Sequence, residues 1–192
     1  QNQSLTGMGI RWTDGTYYVA YGQETHNDYR AFSGNITTGG TYAATSIRSV
    51  NPRSKDQANR ISAGYVSGPL QLAADYSNLS YSEQGTVGTF GKYTTSAWQV
   101  SVDYALSADW NLAANYAVGE AGSCSIVGGA ACSTNGLGGS LLSLGGKYNF
   151  DKNVSIFGIY GSNKNNAASF FGSPTNAGGI VTNIAVGVLV KF

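Results

Sequence analysis

The sequence contains few residues that could carry out acid–base chemistry. His26 is its single histidine, and Glu24 and Asp28 lie close to it. A histidine beside carboxylates can serve as a general base, but an enzyme also needs a nucleophile or a further carboxylate facing that histidine. No spacing in the chain supplies one, and one histidine with scattered carboxylates does not predict a metal site. We therefore expect no catalytic activity, no metal and no cofactor.

Two cysteines, Cys124 and Cys132, lie in the glycine-rich stretch GSCSIVGGAACSTNG. Their spacing differs from the Cys-x-x-Cys motif of thiol oxidoreductases, so it does not indicate redox catalysis. In an oxidising compartment, two cysteines this close within one loop favour a local disulfide. We expect such a bond to restrict that loop.

The overall composition excludes several classes of protein. Only 11% of the residues are charged, less than half of the roughly 25% found in typical soluble domains. The net charge of +1 lacks the basic excess of a nucleic-acid-binding protein, so we expect no nucleic-acid partner. The 27 glycines and 13 tyrosines disfavour a helical bundle, and no apolar run approaches the 18 or so residues of a membrane helix.

Large apolar residues alternate with small or polar ones along most of the chain, a period of two that indicates β-strands with two different faces. The clearest segment, residues 98–106, is followed after Ser107 to Asp109 by a second, residues 110–118, and so short a connection predicts an antiparallel hairpin. Phe157 and Ile159 break the alternation, because they fall on the otherwise polar face. We predict nine strands, at residues 7–12, 17–22, 60–65, 70–77, 98–106, 110–118, 142–150, 154–162 and 182–192.

The connections between these strands differ in length at the two ends of the sheet. Short turns follow Trp12, Val66, Leu106 and Phe150, whereas long polar links cover roughly residues 24–59, 77–95, 119–140 and 163–179. The apolar faces carry aromatic residues near both ends, with Val, Leu, Ile and Ala between them, as in the two aromatic girdles of a transmembrane barrel. The other face is rich in Gly, Ala, Ser and Asn, which suits a wet interior.

Four stretches resemble the general porins of Gram-negative bacteria, in particular the sixteen-stranded trimeric type. They are GMGIRWTDGTYYVAYGQE, the hairpins WQVSVDYALSADWNLAANYAVG and LLSLGGKYNFDKNVSIFGIYG, and the ending AVGVLVKF. The resemblance implies an all-β, transmembrane antiparallel β-barrel in the cell outer membrane, a homotrimer in contact with membrane lipid and lipopolysaccharide. It also implies that the terminal aromatic, Phe192, is the signal read by the barrel-assembly machinery.

The length of the chain departs from this family. A complete bacterial barrel has an even number of strands, and nine strands cannot close without unpaired backbone groups in lipid. We therefore expect residues 1–192 to be the C-terminal part of a single barrel domain, the last nine of sixteen strands. The remaining strands, with the constriction loop of the family, would come from a missing N-terminal part.

The predicted function is a water-filled channel for passive diffusion of ions and small hydrophilic solutes. Wall charges in such a channel bias which ions enter, and four bases against two acids predict a mild preference for anions. An alternative is a barrel that anchors adhesive or receptor loops, chiefly residues 24–59, and a third class is a soluble sugar-binding β-sandwich. The candidate channel-lining residues, all on the polar face, are Arg11, Arg60, Asp75, Asp103, Lys147 and Lys191.

Overall fold

The computed structural model of the protein describes residues 3–28, 37–38, 53–169 and 177–191. Strands account for most of these residues, and none of the described residues belongs to a helix long and apolar enough to span a membrane. The strands are β1 (Ser4–Thr13), β2 (Tyr17–Asn27), β3 (Thr37–Thr38), β4 (Arg53–Ser67), β5 (Leu70–Gln84), β6 (Phe90–Ala105), β7 (Trp110–Gly119), β8 (Ser123–Ile126), β9 (Cys132–Ser133), β10 (Gly139–Asn149), β11 (Val154–Asn165) and β12 (Ile180–Val190).

Nine long strands form one antiparallel sheet in the order β1-β2-β4-β5-β6-β7-β10-β11-β12, and the short β8 pairs with the loop end of β6. Each long strand therefore pairs with its neighbours along the chain, as the hairpin pattern predicted. A separate two-stranded sheet joins β3 to β9. Within the described residues, β1 and β12 each have a partner on one side only.

The strands extend further toward the loops than the sequence pattern predicted. β4 begins at Arg53 rather than at residue 60, β5 continues to Gln84, and β6 begins at Phe90 rather than at residue 98. The added residues of β4 are mostly polar, and those of β5 and β6 carry only isolated apolar side chains such as Leu79 and Phe90, so hydrophobic periodicity does not detect them. The predicted long links at residues 24–59 and 77–95 were therefore too long.

Side chains fix the short turns at the opposite end. The Asp14 carboxylate accepts hydrogen bonds from the N–H groups of Tyr17 (2.7 Å) and Thr16 (2.9 Å), and Gly15 supplies the positive φ that the turn requires. These bonds, that of Tyr17 first, lower the pKa of Asp14 below its usual value. Because the pKa is lower in the folded state, the bonds stabilise the turn above the unfolded pKa and are lost as the pH falls through the folded one.

The strand register places the bulky apolar side chains together on one face, which we call the outer face. These side chains are exposed: Val100 is 47% accessible, Leu112 44% and Val188 65%. Apolar residues buried among those described are few and lie near the loop end, so the described part of the chain contributes no second layer over the outer face. One row of it, nearest the loops, is formed by Ile10, Tyr21, Ile61, Tyr76, Trp98 and Val118.

The apolar surface has a limited height. On β7 it runs from Trp110 to Val118, which at roughly 3.4 Å per residue is about 27 Å along the strand. Because barrel strands tilt by about 40°, this length corresponds to roughly 20 Å along the barrel axis. This height is close to the apolar band of about 25 Å in outer-membrane barrels. The next row toward the loops begins with Met8 on β1 and is otherwise polar, with the members Gln23, Asn59, Asn78 and Ser96.

The opposite face, which we call the inner wall, consists mostly of small residues. Two of its aromatic rings each lie over a glycine: a Cβ at Gly64 would overlap the Tyr18 ring, and a Cβ at Gly187 would overlap the Phe157 ring. The absence of a side chain on each glycine lets the ring lie against the neighbouring strand. Phe157 and its neighbour Ile159 thus do face inward, as the break in the alternation indicated.

The assignment of the two faces predicts that an introduced arginine destabilises the protein on the outer face but not on the inner wall. We expect Val100→Arg to lower the free energy of unfolding by about 2–4 kcal/mol, because the guanidinium would lie among acyl chains near mid-membrane. Ser101→Arg is the matched control, because Ser101 points to the inner wall and its arginine stays in water. Urea titration of protein refolded into lipid vesicles measures both. An equal loss in the two variants would contradict the assignment of the faces.

Candidate functional site

The inner wall brings together the charged residues that the sequence singled out. Five of the six are inward-facing strand residues, and Lys191 follows directly after β12 on the same side. A cavity of about 420 Å³ lies against this wall, lined mainly by small side chains. Its polar lining residues are Tyr18, Gln71, Ser101, Asp103, Asn115 and Ser143.

Arg60 and Asp75 form an ion pair on adjacent strands. The guanidinium donates to the same carboxylate oxygen from Nε (2.9 Å) and Nη2 (2.7 Å). The amide of Gln99 donates to the other oxygen at 2.7 Å, and the hydroxyl of Ser62 also donates to the carboxylate. The carboxylate therefore has three donor side chains, and the pair contributes no net charge to the wall.

Arg11 is held against the wall by an aromatic ring. Its guanidinium carbon lies 4.9 Å from the centre of the Tyr18 ring, within the range of a cation–π interaction, worth about 0.5–1 kcal/mol at an exposed site. Tyr18 in turn lies over Gly64. Three strands thus position one cation: β1 carries it, β2 supplies the ring, and β4 provides the gap in which the ring lies.

Asp103 and Lys147 lie nearer the short turns. The Asp103 carboxylate accepts a hydrogen bond of 2.7 Å from the amide of Asn111, and Lys147 is the β10 neighbour of Asn111 in the register. Lys147 and Lys191 are both exposed and line one cavity of about 180 Å³. Among the described residues neither lysine forms an ion pair.

The loop end of the inner wall carries acidic residues that the sequence reading did not assign to it. His26, expected in a long loop, lies in β2, where its Nε2 bonds the Glu24 carboxylate and its Nδ1 lies 3.8 Å from Asp56. On the next strand, the Tyr81 hydroxyl donates to Glu83 at 2.6 Å. Continuing the period of two from Arg60 back to Asp56 would have found this cluster.

In the part of the chain that the structure describes, no group of three or more His, Cys, Asp or Glu is arranged to hold a metal ion.

The two cysteines lie in the connection between β7 and β10. Cys124 on β8 and Cys132 on β9 are bonded to each other, with their Cα atoms 5.8 Å apart. Cys132 also pairs through its backbone with Thr38 of β3. The disulfide therefore links β8, which pairs with β6, to β9, which pairs with β3. Phe192 lies outside the described residues.

A family model described as Gram-negative porin matches residues 4–168. The chain belongs to the Gram-negative porin family. Porins of Gram-negative bacteria reside in the outer membrane, which confirms the predicted location. It also explains why the bulky face of this porin is exposed, since lipid covers that face.

Solved structures of outer-membrane proteins share the fold of this porin. OmpT of Vibrio cholerae is 17% identical with a TM-score of 0.65, over 99% of this chain and 56% of that one. An anion-selective porin from Comamonas acidovorans is 14% identical with a TM-score of 0.70, over 98% and 49%. A Pseudomonas aeruginosa FadL homologue is 9% identical with a TM-score of 0.54, over 99% and 56%.

At these identities the likeness shows the fold alone, and it confirms the predicted all-β outer-membrane barrel architecture. The soluble β-sandwich is thereby excluded. The porin chain spans about half the length of the solved structures that it matches. No curated protein matches it.

The disulfide predicts a local effect of reduction. We expect the double variant Cys124→Ser, Cys132→Ser to keep its folded strands, because the long strands are paired independently of β9, while cleavage within residues 120–138 becomes several-fold faster. Limited proteolysis in detergent with mass spectrometry of the fragments measures this. Ala131→Ser, at an exposed position in the same connection, is the matched control. Unchanged cleavage in the double variant would show that the bond does not restrict the loop.

Proposed function

We propose that this porin forms the wall of a water-filled channel through which ions and small hydrophilic solutes diffuse passively, with a mild preference for anions. The observation that carries the proposal is the division of the sheet into an apolar, exposed outer face and an inner wall of small, polar and charged residues. Transport of this kind involves no catalytic step and no cofactor, since the solute crosses down its own gradient.

The charges on the inner wall support the preference for anions. Between the polar row and the short turns, the Arg60–Asp75 pair cancels, which leaves Arg11, Lys147 and Lys191 against Asp103. The acidic Glu24, Asp56 and Glu83 lie beyond that row, at the loop end. A surplus of fixed cations raises the local concentration of anions in a narrow aqueous path. The structural likeness to a porin that is itself anion-selective is consistent with this direction.

The unpaired edges of the sheet that the structure describes are evidence that further strands complete the barrel. Open strand edges do not occur in the hydrocarbon layer, because their backbone groups would be unpaired. β1 and β12 run in the same direction, from the loop end to the turn end. Antiparallel closure therefore requires an odd number of further strands, and seven would give the sixteen that the resemblance implied. We propose that these strands come from a part of the protein outside this sequence.

Paired glycines on the outer face are the feature that supports the proposal of a trimer embedded in lipid and lipopolysaccharide. Gly146 and Gly158 are direct partners on neighbouring strands of this face, and Leu112 and Val186 flank them. The resulting shallow strip would allow close approach of a second subunit. We propose a homotrimer with this strip in its interfaces, the rest of the apolar band facing lipid.

The channel itself is tested by conductance. Protein purified from outer membranes, reconstituted in planar bilayers in KCl, should give stepwise, ohmic current increments. In a tenfold KCl gradient the zero-current potential should take the sign of chloride permeation. An absence of open-channel current would overturn the proposed function, and a potassium-selective potential would overturn the anion preference alone.

The ion pair predicts how selectivity shifts. Asp75→Asn removes the carboxylate that neutralises Arg60, so we expect the ratio of chloride to potassium permeability to rise by roughly a factor of two. Arg60→Gln should lower the ratio by a similar factor. Lys164→Gln is the matched control, because Lys164 pairs with outward-facing Ser140 and Ile180 and should leave the potential unchanged. An equal shift in the control would assign the effect to total charge rather than to the wall.

A further inference from the structure

The inner wall contains an apolar area at the turn end of β11 and β12. Leu189 faces inward and is 46% accessible, and the half-buried Phe157 ring lies flat over Gly187. Both residues line the cavity of about 180 Å³ that also contains Lys147 and Lys191. These two side chains give the cavity an apolar floor that an apolar part of a ligand could contact.

The charged groups around this apolar area are mainly cationic. Lys147 and Lys191 reach the cavity from β10 and from the end of β12, and Lys152 of the intervening turn lines it as well. Asp151 is the acidic residue of the lining, but its Oδ1 accepts hydrogen bonds from the N–H groups of Asn153 (2.7 Å) and Val154 (2.9 Å). That carboxylate is engaged in closing the turn, so the cavity keeps a cationic surplus.

We propose that this cavity binds small carboxylates that have an apolar body, such as aromatic monocarboxylates, and this inference deepens the proposed channel function. The carboxylate would lie between the two ammonium groups of Lys147 and Lys191, and the apolar body would lie on Phe157 and Leu189. The charge of the lysines and the apolar floor each match one end of such a ligand. An inorganic anion uses the charge alone, so it should bind less well.

The site is open to water, which sets the strength of binding. Exposed ion pairs are weak because water screens both partners, and a channel site must release its ligand to sustain flux. We therefore expect a dissociation constant of about 1 mM or weaker. At this strength the site enriches aromatic carboxylates at the turn end of the channel without blocking it permanently.

The test compares ligands that differ in one property. Benzoate has both the charge and the apolar body, formate has the charge alone, and benzyl alcohol has the apolar body alone. Equilibrium dialysis against protein purified from outer membranes in a non-ionic detergent measures binding directly. Reduction of the chloride current by each ligand in planar bilayers is the second measurement. We expect benzoate to bind at least tenfold more tightly than formate or benzyl alcohol.

Variants of the chain identify the site. Lys147→Gln together with Lys191→Gln should bring benzoate within twofold of benzyl alcohol, and Leu189→Ser should weaken benzoate several-fold without changing formate. Lys164→Gln, which removes the same charge from the outer face, should change nothing. Equal binding of benzoate and formate to the unmodified protein, or benzoate binding that persists in the double variant, would overturn the site. Because dialysis needs no current, failure of the channel proposal would be seen separately.

Discussion

The structure depends on one constraint: every backbone N–H and C=O group that crosses the hydrocarbon layer must be paired within the protein. An antiparallel sheet of consecutive hairpins satisfies this for all but its two edges, and β1 and β12 are those edges here. With the backbone fully used in the ladder, side chains alone distinguish the two faces. Successive side chains of each strand therefore contact different environments: Val100 contacts lipid, whereas its neighbours Gln99 and Ser101 contact water.

This constraint also explains why the fold was predictable from the sequence and where the prediction stopped. The segments around Trp98–Leu106 and Trp110–Val118 cross lipid, so their alternation is strong and their register follows from the turn between them. Residues 53–59 of β4 have water on both sides of the sheet. Nothing apolar marks them, and hydrophobic periodicity ends at Arg60 although the hydrogen-bonded ladder continues. The sequence therefore located the membrane crossing rather than the strand ends.

For the candidate site, the sequence could predict the face on which each residue lies but not its contacts. Alternation is sufficient to place Arg11, Arg60, Asp75, Asp103 and Lys147 on one face. It does not reveal that Arg60 and Asp75 are paired, because that depends on a register shared between two strands and on Gln99 from a third. The stack of Arg11 on Tyr18 depends likewise on Gly64, which the alternation describes only as one small residue among many. A count of four bases against two acids therefore did not show which charges are free, and it missed the acidic residues at the loop end of the wall.

The positions of the free charges give the inner wall a direction. Acidic residues, among them Glu24, Asp56 and Glu83, lie at the loop end, and the unpaired lysines lie at the turn end, with the neutralised Arg60–Asp75 pair between. An ion that crosses such a wall meets a potential that changes sign along its path. The short turns lie at the lysine end, whereas the loops and the disulfide-linked β8 and β9 lie at the acidic end. The proposed preference for anions thus depends on position along the wall, and a net charge of +1 for the whole chain does not express it.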